Sequence, residues 1–306
     1  MGYESVSHVC FRGLFHEVAE KGIKYVTDLN GALKWVFIEE SDAIYEAGSL
    51  FRRTIGGRWL IYDGSLYSES FDLTGRHYIP IPMDYQGVHV LKGERGLLQK
   101  ALMRWDRWLD NGNGKLGGQD GEARQFFYST KGLRNRDIRL RGILKATVPV
   151  VPPEAIFWDY DVIPIVLADG CVSNCTFCCV KTGGEFQERS FHQIQESIRG
   201  LKRWLGDDLK NFSSLFLGQN DALYADTRLL QDVAIYAHEE FCMDRAYVRP
   251  RGLFMFGSPL SLTKKKITDF NMIEKIPFEK IHINVGIESL DAHTLQALGR
   301  PFDLKL

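Results

Sequence analysis

Apolar positions follow two different rhythms along this chain, and the change comes near its midpoint. In the first part they fall in short runs beside turn dipeptides. Tyr25-Val26-Thr27 and Trp35-Val36-Phe37-Ile38 flank Asn30-Gly31, while Trp59-Leu60-Ile61-Tyr62 and Leu66-Tyr67 flank Asp63-Gly64. Such dipeptides supply the positive φ angles of a tight type I′ turn, so two hairpins are expected. Leu97, Leu98, Ala101, Leu102, Trp105 and Trp108 then recur at three- and four-residue spacings and predict a helix near Glu94–Leu109. Five of the six tryptophans precede residue 160, which further sets this part apart. Residues 1–150 therefore predict a small α+β accessory domain, with nothing to show its role.

Two stretches of that domain carry chemistry worth weighing. Asp110–Gly121 is rich in glycine and asparagine, and Asn111, Asn113, Gly114 and Asp120 fall near the spacing of a calcium loop. Leu109 would occupy the first ligand position, where it cannot bind a cation, so a surface loop is expected instead. Lys131–Lys145 holds Lys131, Arg134, Arg136, Arg139, Arg141 and Lys145 against one acid, Asp137. Arg139 and Arg141 alternate with Ile138 and Leu140, the pattern of a half-exposed strand, whose basic face would be solvated or turned to phosphates. Pro149, Pro152 and Pro153 then break regular structure and mark the expected boundary.

Residues 151–306 alternate short apolar runs with amphipathic stretches. Strands are expected at Val162–Ala168, Ser214–Leu217, Leu253–Phe256 and Ile281–Val285. Helices are expected between and after them: one capped by Ser190 with Gln193 and reaching Leu205, one from Asp226 to about Cys242, one capped by Thr263, and one near Asp291–Leu298. Repeated βα units predict a parallel sheet or barrel with its chemistry at the C-terminal strand ends.

Composition narrows the classes. A chain of 306 residues with 44% hydrophobic content can bury a sizeable core, and a net charge of −1 gives no global field toward nucleic acid or anionic membrane. There is no basic segment followed by an apolar leader, no apolar run of membrane-spanning length, and Val6 stands where a myristoylation motif wants Ser or Thr. A cytoplasmic protein is expected. Four of the six cysteines fall within nine residues, which favours metal binding in a reducing compartment over disulfides. Cys10 and Cys242 stand apart and read as buried apolar thiols. His282 and His293 have no partner pattern.

The cluster reads Gly170-Cys171-Val172-Ser173-Asn174-Cys175-Thr176-Phe177-Cys178-Cys179, with Cys171, Cys175 and Cys178 spaced C-x3-C-x2-C directly after the first strand of the second half. Three close thiolates can hold three corners of a cubane iron–sulfur cluster and leave the fourth iron open. A zinc site built from these three with Cys179 or His192 is the rival, giving a non-catalytic metal-stabilised interaction module, although structural zinc usually takes paired ligands from separated segments. A ferredoxin-type carrier would need a fourth well-spaced cysteine.

This loop, with its aromatic Phe177, resembles the signature of the radical S-adenosylmethionine superfamily. Leu215-Phe216-Leu217-Gly218-Gln219-Asn220-Asp221 resembles that family's segment after the second strand, with Gln219-Asn220 departing from the usual Gly-Gly-Glu. Ile283-Asn284-Val285-Gly286-Ile287-Glu288-Ser289, followed by Gly299-Arg300-Pro301, resembles its fourth-strand region. The resemblance spans about Val162 to Pro301. It implies a partial (βα) barrel and a 4Fe-4S cluster on Cys171, Cys175 and Cys178. It also implies S-adenosyl-L-methionine held among Phe177, Gly218, Gln219, Asn220, Asp221, Glu288, Ser289 and Arg300, with Glu288 toward the ribose and Arg300 toward the carboxylate. The cofactor would be cleaved to a 5′-deoxyadenosyl radical with an electron from a donor such as flavodoxin or ferredoxin. Cys179 is expected to pack beside the site rather than ligate. The substrate, a small molecule or an RNA, is not fixed by these residues. The family's barrel usually has six βα units against four here, so a longer protein with a C-terminally truncated barrel is expected.

Overall fold

The computed structural model describes residues 13–39, 49–57, 59–62, 71–72, 92–117, 123–146, 161–173, 175–178, 184–218 and 220–300. The chain divides into two compact units. One holds residues up to Leu140 together with Leu205–Asp208, and the other holds Arg141–Trp204 and the chain from Leu209 onward. The change falls inside a helix, ahead of the prolines, which lie outside the described residues.

The first unit is built on a six-stranded antiparallel meander, β1 (His16–Glu20), β2 (Ile23–Thr27), β3 (Leu33–Ile38), β4 (Ser49–Arg53), β5 (Trp59–Tyr62) and β6 (Phe71–Asp72), each paired with the next. The first expected hairpin is β2–β3, but its turn is wider than two residues. Thr27 pairs with Leu33, and Asp28–Ala32 forms the loop. Buried Asp28 Oδ1 accepts the N–H groups of Asn30 (2.9 Å) and Ala32 (2.8 Å), a side-chain turn that Asn-Gly alone does not specify. Gly31 has φ +81°, and a Cβ there would stand 2.3 Å from Phe126 O. The second expected turn, Asp63-Gly64 with Leu66-Tyr67, lies outside the described residues; β5 pairs with β6, Leu60 opposite Asp72 and Ile61 opposite Phe71.

Helix α1 (Lys92–Asp110) packs Leu97, Leu98, Ala101, Trp105 and Leu109 into a core shared with Tyr25, Leu33, Val36 and Phe51. Trp105 lies stacked 5.2 Å from Trp108 and donates Nε1–H to Tyr128 O at 2.8 Å. The expected loop after α1 holds strand structure, with β7 (Lys115–Gly117) paired to β8 (Ala123–Gln125). The basic segment is likewise corrected: Thr130–Leu144 is helix α2, not a strand. Ile138 is 64% exposed while Leu140 is 1%. In a strand these would share a face, whereas in a helix they lie about 200° apart. Leu133, Arg136, Leu140 and Leu144 form its buried line, with Arg136 near Asp28 (3.7 Å) and over the Tyr128 ring.

The second unit is a parallel four-strand sheet. Strand β9 (Ile163–Ile165) is followed by a short ribbon of β10 (Ala168–Asp169) and β11 (Gln187–Glu188), so the expected Val162–Ala168 strand is really two pieces. Helix α3 (Phe191–Leu205) leads to β12 (Ser214–Leu217), α4 (Thr227–Glu240) to β13 (Gly252–Gly257), and α5 (Pro259–Lys264) with α6 (Ile267–Glu274) to β14 (Lys280–Val285). Helix α7 (Ala292–Ala297) follows. The sheet order is β14-β13-β12-β9, so neighbours in sequence are neighbours in space.

Ser190 and Gln193 exchange the expected cap bonds, and Asp226 and Asp291 cap α4 and α7. Thr263 caps nothing. Ser258 does so instead, through a reciprocal bond pair with Ser261 and Pro259 at the first helical position. Cys242 is exposed with φ +53°, not buried. Among the described residues no helix is long and apolar enough to cross a membrane.

Trp105 is the largest fully buried side chain of the first unit. Trp105→Ala is expected to destabilise that unit by about 3–5 kcal/mol, from lost apolar burial and the cavity left behind. Urea unfolding followed by far-ultraviolet circular dichroism measures it, and a cost below about 1 kcal/mol would show that the surrounding aromatics collapse into the gap.

Candidate functional site

Four parallel strands end on one side of the sheet, and the loops that leave them carry nearly all the residues singled out by sequence. The first such loop starts at Gly170 and is closed at its base by β10 and β11, with Ala168 opposite Glu188 and Asp169 opposite Gln187. Arg189, next to β11, is buried. Its Nε and one terminal nitrogen take both oxygens of Asp169, and the guanidinium also donates to Leu144 O (2.7 Å) and Lys145 O (3.5 Å). Arg189 holds the Asp169 carboxyl below the usual carboxylate range. Gly170 follows with φ +71°, where a Cβ would meet Glu185 O at 2.1 Å, so only glycine lets the two ends of the loop pass.

Within that loop Cys175 is buried, Cys171 and Cys178 are half-buried, and all three are free thiols. Burial pushes the Cys175 thiol up, Arg300 pulls it down, and Cys178, Cys171 and Glu288 push it further up. The three cysteines, Glu288 and Arg300 therefore share one electrostatic neighbourhood. Thr176 N–H donates to Leu298 O at 3.0 Å, tying the loop to the end of α7, and Cys178 N–H donates to Cys175 O at 3.3 Å. Ser173 is also buried, and its Oγ finds no hydrogen-bond partner among the described residues. Cys179 and Asn174 lie outside them.

At the end of β12, Gly218 turns with φ +73° and donates its N–H to Ile165 O, and a Cβ there would meet Ala222 Cβ at 2.9 Å. Asn220 donates its side-chain amide to Gly170 O, joining this loop to the cysteine loop. Gln219 lies outside the described residues. Asp221 is buried and accepts from Ser258 Oγ, which belongs to the end of β13, while its Oδ1 closes no hydrogen bond among the described residues. Burial pushes its carboxyl above the usual range, against the opposing pull of Ser258, Ser261, Tyr224 N–H and Arg300.

At the end of β14, Glu288 takes the left-handed conformation, φ +58°, unusual for a residue with a side chain and typical of functional loops. Its carboxylate pairs with Arg300. Gly286 makes room for that pair, since a Cβ there would stand 2.8 Å from Glu288 Oε1 and 3.0 Å from an Arg300 nitrogen. The Arg300 guanidinium also lies 5.6 Å from the centre of the half-exposed Phe177 ring, and its buried Nε has no acceptor among the described residues. Ser289 uses its hydroxyl locally, accepting Asp291 N–H at 3.0 Å.

The donor set fits an iron–sulfur cluster in kind: three free thiols on one loop and, between two of them in sequence, a buried hydroxyl with no partner among the described residues. Among the described residues no three His, Cys, Asp or Glu side chains gather closely enough to hold a single metal ion. A cubane makes a different demand, because each thiolate binds its own iron.

Sequence reasoning missed Ser258 and the Asp169–Arg189 clamp. Ser258-Pro259 was a readable helix-start signal, whereas the clamp joins residues twenty apart and left no local trace. No family model matches the chain, and no curated protein or solved structure matches it.

Asp221 yields a pH signature. Its folded pKa lies above the unfolded one, so its stability contribution is fully present below the unfolded pKa and is lost as pH rises through the folded value. Asp221→Asn is expected to be more stable than wild type at neutral pH, with the advantage shrinking in acid. Urea unfolding at pH 4 and pH 7 checks this, and an advantage that grows in acid would refute it.

Proposed function

We propose that this chain is the core of a radical S-adenosylmethionine enzyme, its four-strand parallel sheet forming an arc of a (βα) barrel. The observation that carries this is one of position. The C-x3-C-x2-C loop leaves the first parallel strand, and Asp221, Ser258, Glu288 and Arg300 stand at or beyond the ends of the other three on the same side. In parallel α/β folds ligands bind at that edge.

In this reading Cys171, Cys175 and Cys178 would hold a 4Fe-4S cluster, which when bound would supply reductive cleavage of S-adenosyl-L-methionine. The chain's own residues bind and orient that cofactor. Arg300 offers a half-buried guanidinium, with its buried Nε still open, to the carboxylate. Asp221 offers an oxygen without a partner to the ammonium, and Glu288 accepts from the ribose hydroxyls. Phe177, which already lies against Arg300, closes one side and keeps water from the pair. Gly218 turns the chain without a side chain in the way of close approach, while Asn220 and Ser289 brace the loops. The electron comes from a small donor protein such as flavodoxin or ferredoxin, and the enzyme works in the cytoplasm on a small molecule or an RNA.

Anaerobic reconstitution with iron and sulfide should give a brown protein with equal iron and acid-labile sulfide. Cys171→Ala, Cys175→Ala and Cys178→Ala should each lose both, and Cys179→Ala should keep them. Zinc without sulfide in the wild type would replace the reading with a metal-stabilised interaction module. Reduced wild-type protein should release 5′-deoxyadenosine from S-adenosylmethionine.

Glu288→Ala is expected to weaken cofactor binding by about 1–3 kcal/mol through the loss of a hydrogen-bond acceptor. Equilibrium dialysis with labelled cofactor measures this, and unchanged affinity would remove Glu288 from the site.

A further inference from the structure

Away from the strand ends, the second unit has a cavity of about 510 Å³ lined by residues that no part of the proposed chemistry uses. Helix α3 forms one wall with His192, Glu196, Gly200 and Arg203, four residues on one helical face. The end of α2 supplies Ile143 and Lys145, and the Asp169–Arg189 clamp completes the lining. The two helices meet closely here: Ser197 Oγ donates to Ile143 O at 3.2 Å, and a Cβ on Gly200 would stand 2.9 Å from Ile143 Cγ2.

Charge decides what such a cavity takes. Its lining holds three cations, Lys145, Arg189 and Arg203, and two carboxylates, Asp169 and Glu196. Glu196 is paired at 2.6 Å with Arg199, which does not line the cavity. Asp169 is held by Arg189 through two hydrogen bonds. The lining is thus left with a surplus of two positive charges. Lys145 and Arg203 make no ion pair among the described residues. Arg189 is a buried, rigidly held cation in the wall, a fixed rather than a floating positive charge.

We propose that this cavity is a binding site for a small phosphomonoester, its phosphate between Lys145 and Arg203 and its body against Ile143 and the middle of α3. A phosphomonoester carries close to two negative charges at neutral pH and matches the surplus, where a carboxylate would leave one cation unanswered. The volume falls within the ordinary range of small-molecule pockets, about 300–1,000 Å³. The ring nitrogens of His192, which lines the cavity, can hydrogen-bond a hydroxylated body. The site is independent of the cysteine loop's metal chemistry, although it shares the clamp that closes that loop.

Isothermal titration of the full chain with ribose 5-phosphate, inorganic phosphate and ribose tests this. Ribose 5-phosphate should bind most tightly, inorganic phosphate more weakly, and ribose not at all. Lys145→Glu and Arg203→Glu should each weaken ribose 5-phosphate about tenfold or more, and Lys145→Arg should restore most of the affinity. Both positions are exposed, so the variants keep the fold, which circular dichroism verifies. Absence of ribose 5-phosphate binding by the wild type would overturn the proposal. So would undiminished binding by the Lys145→Glu, Arg203→Glu double variant, or equal binding of ribose.

Discussion

A guanidinium shut away from water must find acceptors for its N–H groups or cost several kcal/mol. Arg189 meets that demand with both oxygens of Asp169 and the backbone oxygens of Leu144 and Lys145. The geometry of everything nearby follows from how it does so. The Asp169 bonds pin the ribbon β10–β11, and with it both ends of the cysteine loop. The carbonyl bonds fix the last turn of α2, whose terminal oxygens would otherwise lack donors. One side chain thereby fixes the base of the loop that carries the thiols and the wall of a separate cavity. A lysine could not replace it, because a point charge cannot serve a carboxylate and two carbonyls in one plane.

The loops at the other strand ends are held by close backbone approaches together with side-chain contacts. Gly170 and Gly286 stand where a Cβ would collide with Glu185 O and with the Glu288–Arg300 pair, and Gly218 where it would meet Ala222 of its own loop. The cysteine loop receives Asn220 on one side and gives Thr176 N–H to Leu298 O on the other. Three loops far apart in sequence are thus cross-linked by one side-chain amide and one backbone N–H. That suits a site that must hold charged groups at fixed separations.

Much of this was legible in the sequence, and the failures share a cause. The strands β12, β13 and β14, the Ser190–Gln193 box and the Asp226 and Asp291 caps follow rules that act within a few residues. The basic stretch deceived because Ile138 and Leu140 mimic alternation over four residues. The longer spacing of Leu133, Arg136, Leu140 and Leu144 carries the true helical period. The Asn30-Gly31 turn was located but mis-sized, since Asp28 widens the loop by binding two N–H groups within it. The thiols and Glu288 were visible as residues, but the Glu288–Arg300 pair and the Arg189 clamp exist only once the sheet has brought distant segments together.

That Glu288–Arg300 pair has a chemical consequence. Each group already satisfies the other beside a loop of free thiols, so the site's charges are closed within the protein itself. A simple anion that captured Arg300 would strand the Glu288 carboxylate, and a simple cation or donor that captured Glu288 would strand Arg300. Neither exchange is favourable in a half-buried setting. Only a molecule that presents an acceptor to one residue and donors to the other can open the pair without leaving a charge behind. The pair thus sets a charge-matching condition on whatever would separate its two members.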